Sequence, residues 1–382
     1  MFRSVLKTTL SSLILIVVLG LTGSNLLAQT VPDREATLKT IVSVNKYFMT
    51  KFEDYKAPSN VGRVRPSNIW TRGVYYEGLM ALYSILPEEK YYAYANDWAD
   101  FHKWDYRNGP STRNADDYCA GQTYIDLYRL CPEPHKLRKV IANLDMLVNT
   151  PQNGDWDWID AIQMGMPVFA KLGTTLNETK YYDKMWNMYE YSRNHIAGGL
   201  FNSEDNLWWR DGDFIPPYKE PNGEDCYWSR GNGWVYAALV RVMDEIPADE
   251  KHYQDYLKDF LAMTDALVKC QRKDGFWNVS LHDPKNYGGK EVTGTSLFIY
   301  GMAWGVNNGI LDKETYLPII AKSWEAMVKH AVHENGYLGY VQGTGKEPKD
   351  GQPVKYDSVP DFEDYGVGCF LLAGSEVYKL EE

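Results

Sequence analysis

Pairable cysteine, strand-like alternation, basic charge and long apolar runs are all scarce in this 382-residue chain. The five cysteines, Cys119, Cys131, Cys226, Cys270 and Cys369, are odd in number and scattered, with no C-x-x-C pair. They exclude a disulfide framework and a zinc site, and read as small apolar residues of a core. Lys and Arg number 40 against 51 Asp and Glu, a formal net charge of −11. Such an acidic balance makes nucleic acid and anionic membranes poor partners. Val292–Gly309 carries no charge, yet its Thr, Ser, Asn and Gly content argues against a membrane span. Phosphate-loop and dinucleotide glycine fingerprints, H-E-x-x-H and G-x-S-x-G are also missing, and Gly343-Thr-Gly-Lys346 follows no strand. His330 and His333 have only Glu334 near them in sequence, and adjacent helix positions point apart, so no metal site is expected there. No cofactor is implied.

The first residues stand apart from the rest. Arg3 and Lys7 form a charged start, Leu13–Leu21 a short apolar core, and Leu26-Leu-Ala28 ends in a small residue before Gln29. This predicts a secretory signal peptide over residues 1–28, an exported, periplasmic protein, and a single domain over 29–382. Loss of Arg3 and Lys7 would take the charge from −11 to −13.

Helical periodicity dominates what remains. Helices are predicted at 34–53, 70–86, 89–106, 114–130, 135–149, 157–173, 178–194, 230–246, 249–270, 292–308, 312–331 and 362–380. They alternate in kind. Over 249–270, Tyr253, Tyr256, Phe260, Met263 and Leu267 form one stripe with charges elsewhere, the mark of a surface helix. The even-numbered helices are apolar and open with small residues, such as Gly231 and Gly233 or Gly366 and Gly368, which allow close approach. Outer amphipathic helices alternating with inner apolar ones describe an all-α fold, an (α/α)6 toroid of six helical hairpins. An open helical solenoid would need a repeated consensus, which is missing. The long connections 195–229, 271–291 and 341–361 read as lids or binding loops.

In such a toroid the inner helices all point the same way, so the segments that open them converge on one cavity. Trp70 and Arg72 open the second helix, Asp116 and Asp117 the fourth, and Asp160 the sixth; Trp228-Ser-Arg-Gly-Asn-Gly-Trp234 opens the eighth, Glu291 to Thr295 the tenth, and Glu363-Asp-Tyr-Gly366 the twelfth. Asp160 is the only charge between Trp158 and Ala170. A carboxylate in so apolar a setting either finds a partner or raises its pKa and keeps a proton, which makes a general acid. Asp116 or Asp117 is the second candidate carboxylate. The candidate substrate contacts are Trp70, Arg72, Trp228, Arg230, Asn232, Trp234 and Thr293. The two Arg are placed to grip a carboxylate and the Trp side chains to stack on sugar, for which 13 Trp and 29 Tyr give ample material. The plainer reading makes the acids helix caps and the Arg residues structural ion pairs.

Trp158-Ile-Asp160 with Met164 and Pro167, the Trp228–Trp234 motif, Glu291-Val-Thr-Gly-Thr-Ser296 and the Tyr365–Glu376 ending resemble glycoside hydrolase family 105, the unsaturated rhamnogalacturonyl hydrolases. The unsaturated glucuronyl hydrolases of family 88 are its relatives. The resemblance implies an (α/α)6 barrel and removal of a terminal 4,5-unsaturated uronic acid from oligosaccharides left by polysaccharide lyases. It places the acid/base on Asp160, the second active-site Asp on Asn114-Ala-Asp-Asp117, and the motif's Arg and Trp on Arg230, Trp228 and Trp234. One departure is that Gly199–Asn206 lacks a His that many members carry there. The implied reaction is hydration of the C4=C5 bond, with Asp160 protonating C4 and water adding at C5. Two rivals remain at this stage. One is an inverting glycosidase acting on saturated glycosides through two spaced carboxylates; the other is a non-catalytic sugar-binding toroid.

Overall fold

The computed structural model describes residues 31–61, 63–358 and 364–381, so the leader read at 1–28 lies outside the described residues. Six elements form an outer layer: α1 (Arg34–Lys51), α3 (Glu89–Phe101), α6 (Pro134–Val148), α8 (Lys180–Asn194), α10 (Tyr253–Lys269) and α12 (Lys313–His330). Between them run the inner helices α2 (Trp70–Ile85), α4 (Ala115–Tyr118) with α5 (Gly121–Leu130), α7 (Asp160–Leu176), α9 (Ser229–Met243), α11 (Val292–Asn307) and α13 (Asp364–Tyr378). The inner set closes on itself: α2 packs on α5, α5 on α7, α7 on α9, α9 on α11, α11 on α13, and α13 back on α2. This is the all-α (α/α)6 toroid expected from the alternation of helix types.

Burial follows the predicted pattern. In α9 every residue is buried, and in α7 every residue from Asp160 to Gly173, because inner helices meet protein on all sides. The outer α10 buries Tyr256, Phe260, Met263 and Leu267 on one face. Glycine sets the closest approach. A Cβ on Gly78 of α2 would overlap the Gly368 carbonyl of α13, and one on Gly368 would overlap the Val74 carbonyl. The five cysteines are free thiols, with Cys119, Cys226 and Cys369 buried.

Two helices differ from expectation. The span 114–130 is two helices, because Gln122 N bonds back three residues to Cys119 O and tightens the turn between α4 and α5. The helix predicted to reach 106 stops at Phe101, since Lys103 and Trp104 both take φ of 55°, a left-handed conformation that no helix continues through. Two short hairpins were not foreseen: β1 (Ser59–Val61) with β2 (Arg63–Arg65), and β3 (Phe201–Asn202) with β4 (Leu207–Trp208).

Candidate active site

At the end of the ring where the inner helices begin lies a cavity of about 260 Å³. Trp70 enters it from the start of α2, Asp116 from α4, and Asp160 and Met164 from α7. The end of β2 adds Arg65, and loops complete the wall with Trp158, Arg210 and Thr344. Two carboxyls, two guanidinium groups and two indoles therefore share one small space.

Asp160 is the first residue of α7, at the positive end of the helix dipole, and is 8% exposed. Its partner is Arg210, whose Nε lies 3.1 Å from Oδ2. Arg210 also reaches Asp211, Nη1 to Oδ2 at 2.6 Å. Backbone pairing puts it there: Trp158 bridges to Asp211, and Ile159 N donates to Arg210 O at 2.9 Å. The strand-like approach to α7 thus delivers the acid and its counter-ion together.

Asp116 and Asp117 sit side by side and do different things. Asp117 is 1% exposed and held by Arg107 Nη2 at 2.6 Å, Asn108 Nδ2 at 2.8 Å and Thr112 Oγ1 at 2.7 Å. It anchors the loop before α4 and does not line the cavity. Asp116 does line it. Burial, and then the negative charge of Asp160, push its carboxyl up from 3.8 to about 7 against the opposing pull of Arg107. The sequence put the proton on Asp160; in the structure the carboxyl pushed towards neutrality by burial and by a neighbouring charge is that of Asp116, and Asp160 is paired with a loop Arg that the apolar pattern of α7 cannot announce.

The remaining candidates form the frame behind the cavity. Arg72 is fully buried, its Nε 2.7 Å from Asp364 Oδ2 and its guanidinium 4.4 Å from the Phe52 ring centroid. Arg230 is 1% exposed and donates from Nη1 to Gln342 O at 2.7 Å and from Nη2 to Gly343 O at 2.8 Å. Neither Arg lines the cavity as the carboxylate grip expected of it. Instead Arg230 pins the loop that brings Thr344 into the wall. Trp228 Nε1 donates to Gln342 Oε1 at 3.0 Å, on the same loop. Asn232 clamps the other loop: its Oδ1 accepts from Trp208 N at 2.8 Å, and its Nδ2 donates to Trp208 O at 3.0 Å. Trp234 is buried and meets Trp70 edge-on at 6.3 Å, while Tyr365 stacks on Trp70 at 5.3 Å. Thr293 is buried against Glu291, which caps α11 through Thr293 N and Gly294 N.

Arg65, Trp158, Arg210 and Thr344 line the cavity without having been among the candidates, and the two Arg matter most for charge. Arg65 ends the Arg63-Val-Arg65 run just before Trp70, three residues of alternation and too few to mark a strand. Arg210 follows Trp208-Trp209 in a long loop, and only the bridge to Trp158 reveals it.

The model of Glycosyl Hydrolase Family 88 matches residues 40–381. An unsaturated 3S-rhamnoglycuronyl hydrolase of Formosa agariphila is 32% identical over 333 residues, 82% of this chain and 85% of that protein. Among solved structures, a family 88 glycosyl hydrolase from Bacteroides vulgatus superposes with a TM-score of 0.82 at 31% identity, over 91% of this chain and 99% of that one. A structure named as a polysaccharide lyase gives a TM-score of 0.82 at 30% identity, over 90% and 97% of the two chains. A family match that runs through every inner helix and every loop of the cavity settles the class: the chain belongs to Glycosyl Hydrolase Family 88, and it is a hydrolase.

Proposed function

We propose that the protein removes a terminal 4,5-unsaturated uronic acid from lyase-generated oligosaccharides by hydrating its C4=C5 bond. The observation that carries this reading is the pairing of Asp116 and Asp160 with Arg65 and Arg210 in one cavity. At about 260 Å³ the cavity is smaller than the ~300–1,000 Å³ typical of drug-sized ligands, and suits one terminal ring. Two Arg side chains match an anionic sugar, and Trp70 and Trp158 offer faces on which it stacks.

The C4=C5 bond of such a uronide is a vinyl ether. Protonation at C4 leaves an oxocarbenium ion at C5, which water captures. Asp116 and Asp160 share one proton between them. The group that holds it protonates C4, and its ionised partner takes a proton from the water that adds at C5. The resulting hemiketal opens and releases the remainder of the oligosaccharide. Before substrate arrives the proton rests on Asp116 up to about pH 7.

The name of the Formosa relative makes products of lyases that cut rhamnose- and uronate-containing polysaccharides the first substrates to try. Residues 1–28 act as an export leader in this reading. The ultraviolet absorbance of the C4=C5 chromophore tests it. A hydrolase of this kind removes the absorbance, whereas a lyase creates it from intact polysaccharide. Asp160→Asn and Asp116→Asn should each slow its loss by about 10²–10⁴-fold, the usual worth of a general acid or base. Steady absorbance on all uronide disaccharides, with release of sugar from saturated glycosides, would replace hydration by ordinary glycoside cleavage.

A further inference from the structure

The two cavity carboxyls stand on different helices, yet one turn below each of them the chain reaches the same buried side chain. Three residues on from Asp116, the Cys119 thiol donates to Glu77 Oε1 at 3.3 Å. Three residues on from Asp160, Gln163 Nε2 donates to Glu77 Oε2 at 2.9 Å. Residues three apart on a helix lie one above the other, so each bond holds the turn that carries an acid. Glu77, on α2, is 1% exposed.

The frame is wider than these two bonds. Pro167 has no N–H to give to Gln163 O, its helical partner four residues back. Gln122 Nε2 takes that place and donates to Gln163 O at 2.9 Å. The Oε1 of Gln122 accepts from Arg241 Nε at 3.0 Å, and Arg241 Nε lies 3.8 Å from Glu77 Oε2. Side chains from α2, α4–α5, α7 and α9 thus meet in one polar knot inside an otherwise apolar ring. Burying a charge pair costs as much as it returns, and apolar replacements are often as stable. Stability alone therefore gives little reason to keep this knot, whereas fixing one geometry does.

We propose that Glu77 is a positioning residue for the reaction. One oxygen holds the Asp116 turn through Cys119, the other holds the Asp160 turn through Gln163, and together they set the separation of the two acids. The proposal rests on the assignment of Asp116 and Asp160 as the reacting pair. The other charges facing that pair are Arg107 and Asp117 beside Asp116, Arg210 and Asp211 beside Asp160, and Arg65 across the cavity. The bonds given above for Arg107, Asp117, Arg210 and Asp211 do not reach the knot.

Gln163→Leu and Cys119→Val each cut one arm and change no charge. Each should lower kcat by about tenfold or more with KM within about threefold, since a displacement of 1 Å can cost 10²-fold. Each should also move the alkaline limb of the pH–kcat profile to lower pH, because acids further apart repel less. Cys119→Ser, which restores a donor, should recover most of kcat, and Glu77→Gln, which keeps the shape, should lie between. A kcat loss equal at every pH, tracking the folded fraction by circular dichroism, would make the knot merely structural and overturn the proposal. So would wild-type profiles in folded Gln163→Leu and Glu77→Gln proteins. If Asp116→Asn and Asp160→Asn stay active, the assignment of the pair has failed and takes this inference with it. If those two are inactive and the arm variants are normal, only the positioning role falls.

Discussion

Asp116 keeps its proton to about pH 7 because burial and the charge of Asp160 penalise its ionised form. The consequence for stability has a definite sign. Between the unfolded value of 3.8 and about 7 the folded chain binds a proton that the unfolded chain has lost, so stability falls as pH rises through that window. Asp116→Asn should therefore match the wild type near pH 4 and be more stable at pH 8. At ~1.4 kcal/mol per tenfold the ceiling is about 4 kcal/mol, and water in the cavity brings the expected gain to about 1–2. Denaturant unfolding at the two pH values checks this, and equal stability at both would show that Asp116 is solvated. Asp160 was legible because it is the lone charge in an apolar run. Its partner was not, since nothing in Trp208-Trp209-Arg210-Asp211 marks which of the two charges faces inward. Arg72 was misjudged for a related reason: its place one turn into an inner helix says it is buried, but not that Asp364 has claimed it.

The inner and outer helices could be read from the chain because their burial differs on every turn. The loops could not, and the Trp228–Trp234 motif shows why. Its polar residues hold backbone atoms of two distant loops, Trp208 through Asn232 and Gln342–Gly343 through Arg230. Backbone partners leave no signature in a sequence, so a junction looked like a set of substrate contacts. Arg230→Lys separates the two roles. A lysine keeps the charge but loses the forked pair of bonds, and a charged hydrogen bond of this kind is worth about 1.5–3 kcal/mol. The loop-holding role predicts a drop in stability of that size together with a higher KM. A contact made only to substrate would raise KM and leave thermal unfolding unchanged. Short hairpins such as β1–β2, which brings Arg65 to the cavity, escape detection because three-residue strands carry too little alternation to stand out.

At the scale of the whole molecule, the ring was legible as an alternation of helix types, and the glycines that open its inner helices, Gly366 and Gly368 among them, as the means of close approach. Gly78 and Gly368 let α2 and α13 touch backbone to backbone. Gly78→Ala forces those helices apart, and overpacking of this kind costs about 1–3 kcal/mol or more. Calorimetry should find that loss, with activity falling alongside, since Trp70 sits at the start of α2 and Tyr365, which stacks on it, at the start of α13. A fully stable and active Gly78→Ala protein would mean that the contact is slack.

That contact joins segments about three hundred positions apart in the chain, and it orders events during synthesis. A ribosome that has yet to make α13 has produced a horseshoe whose first inner helix has no neighbour on one side. Trp70 has no stacking partner until Tyr365 emerges. The nascent chain is catalytically mute until its final helix slots home, and a product cut short at that point should be unable to hydrate anything.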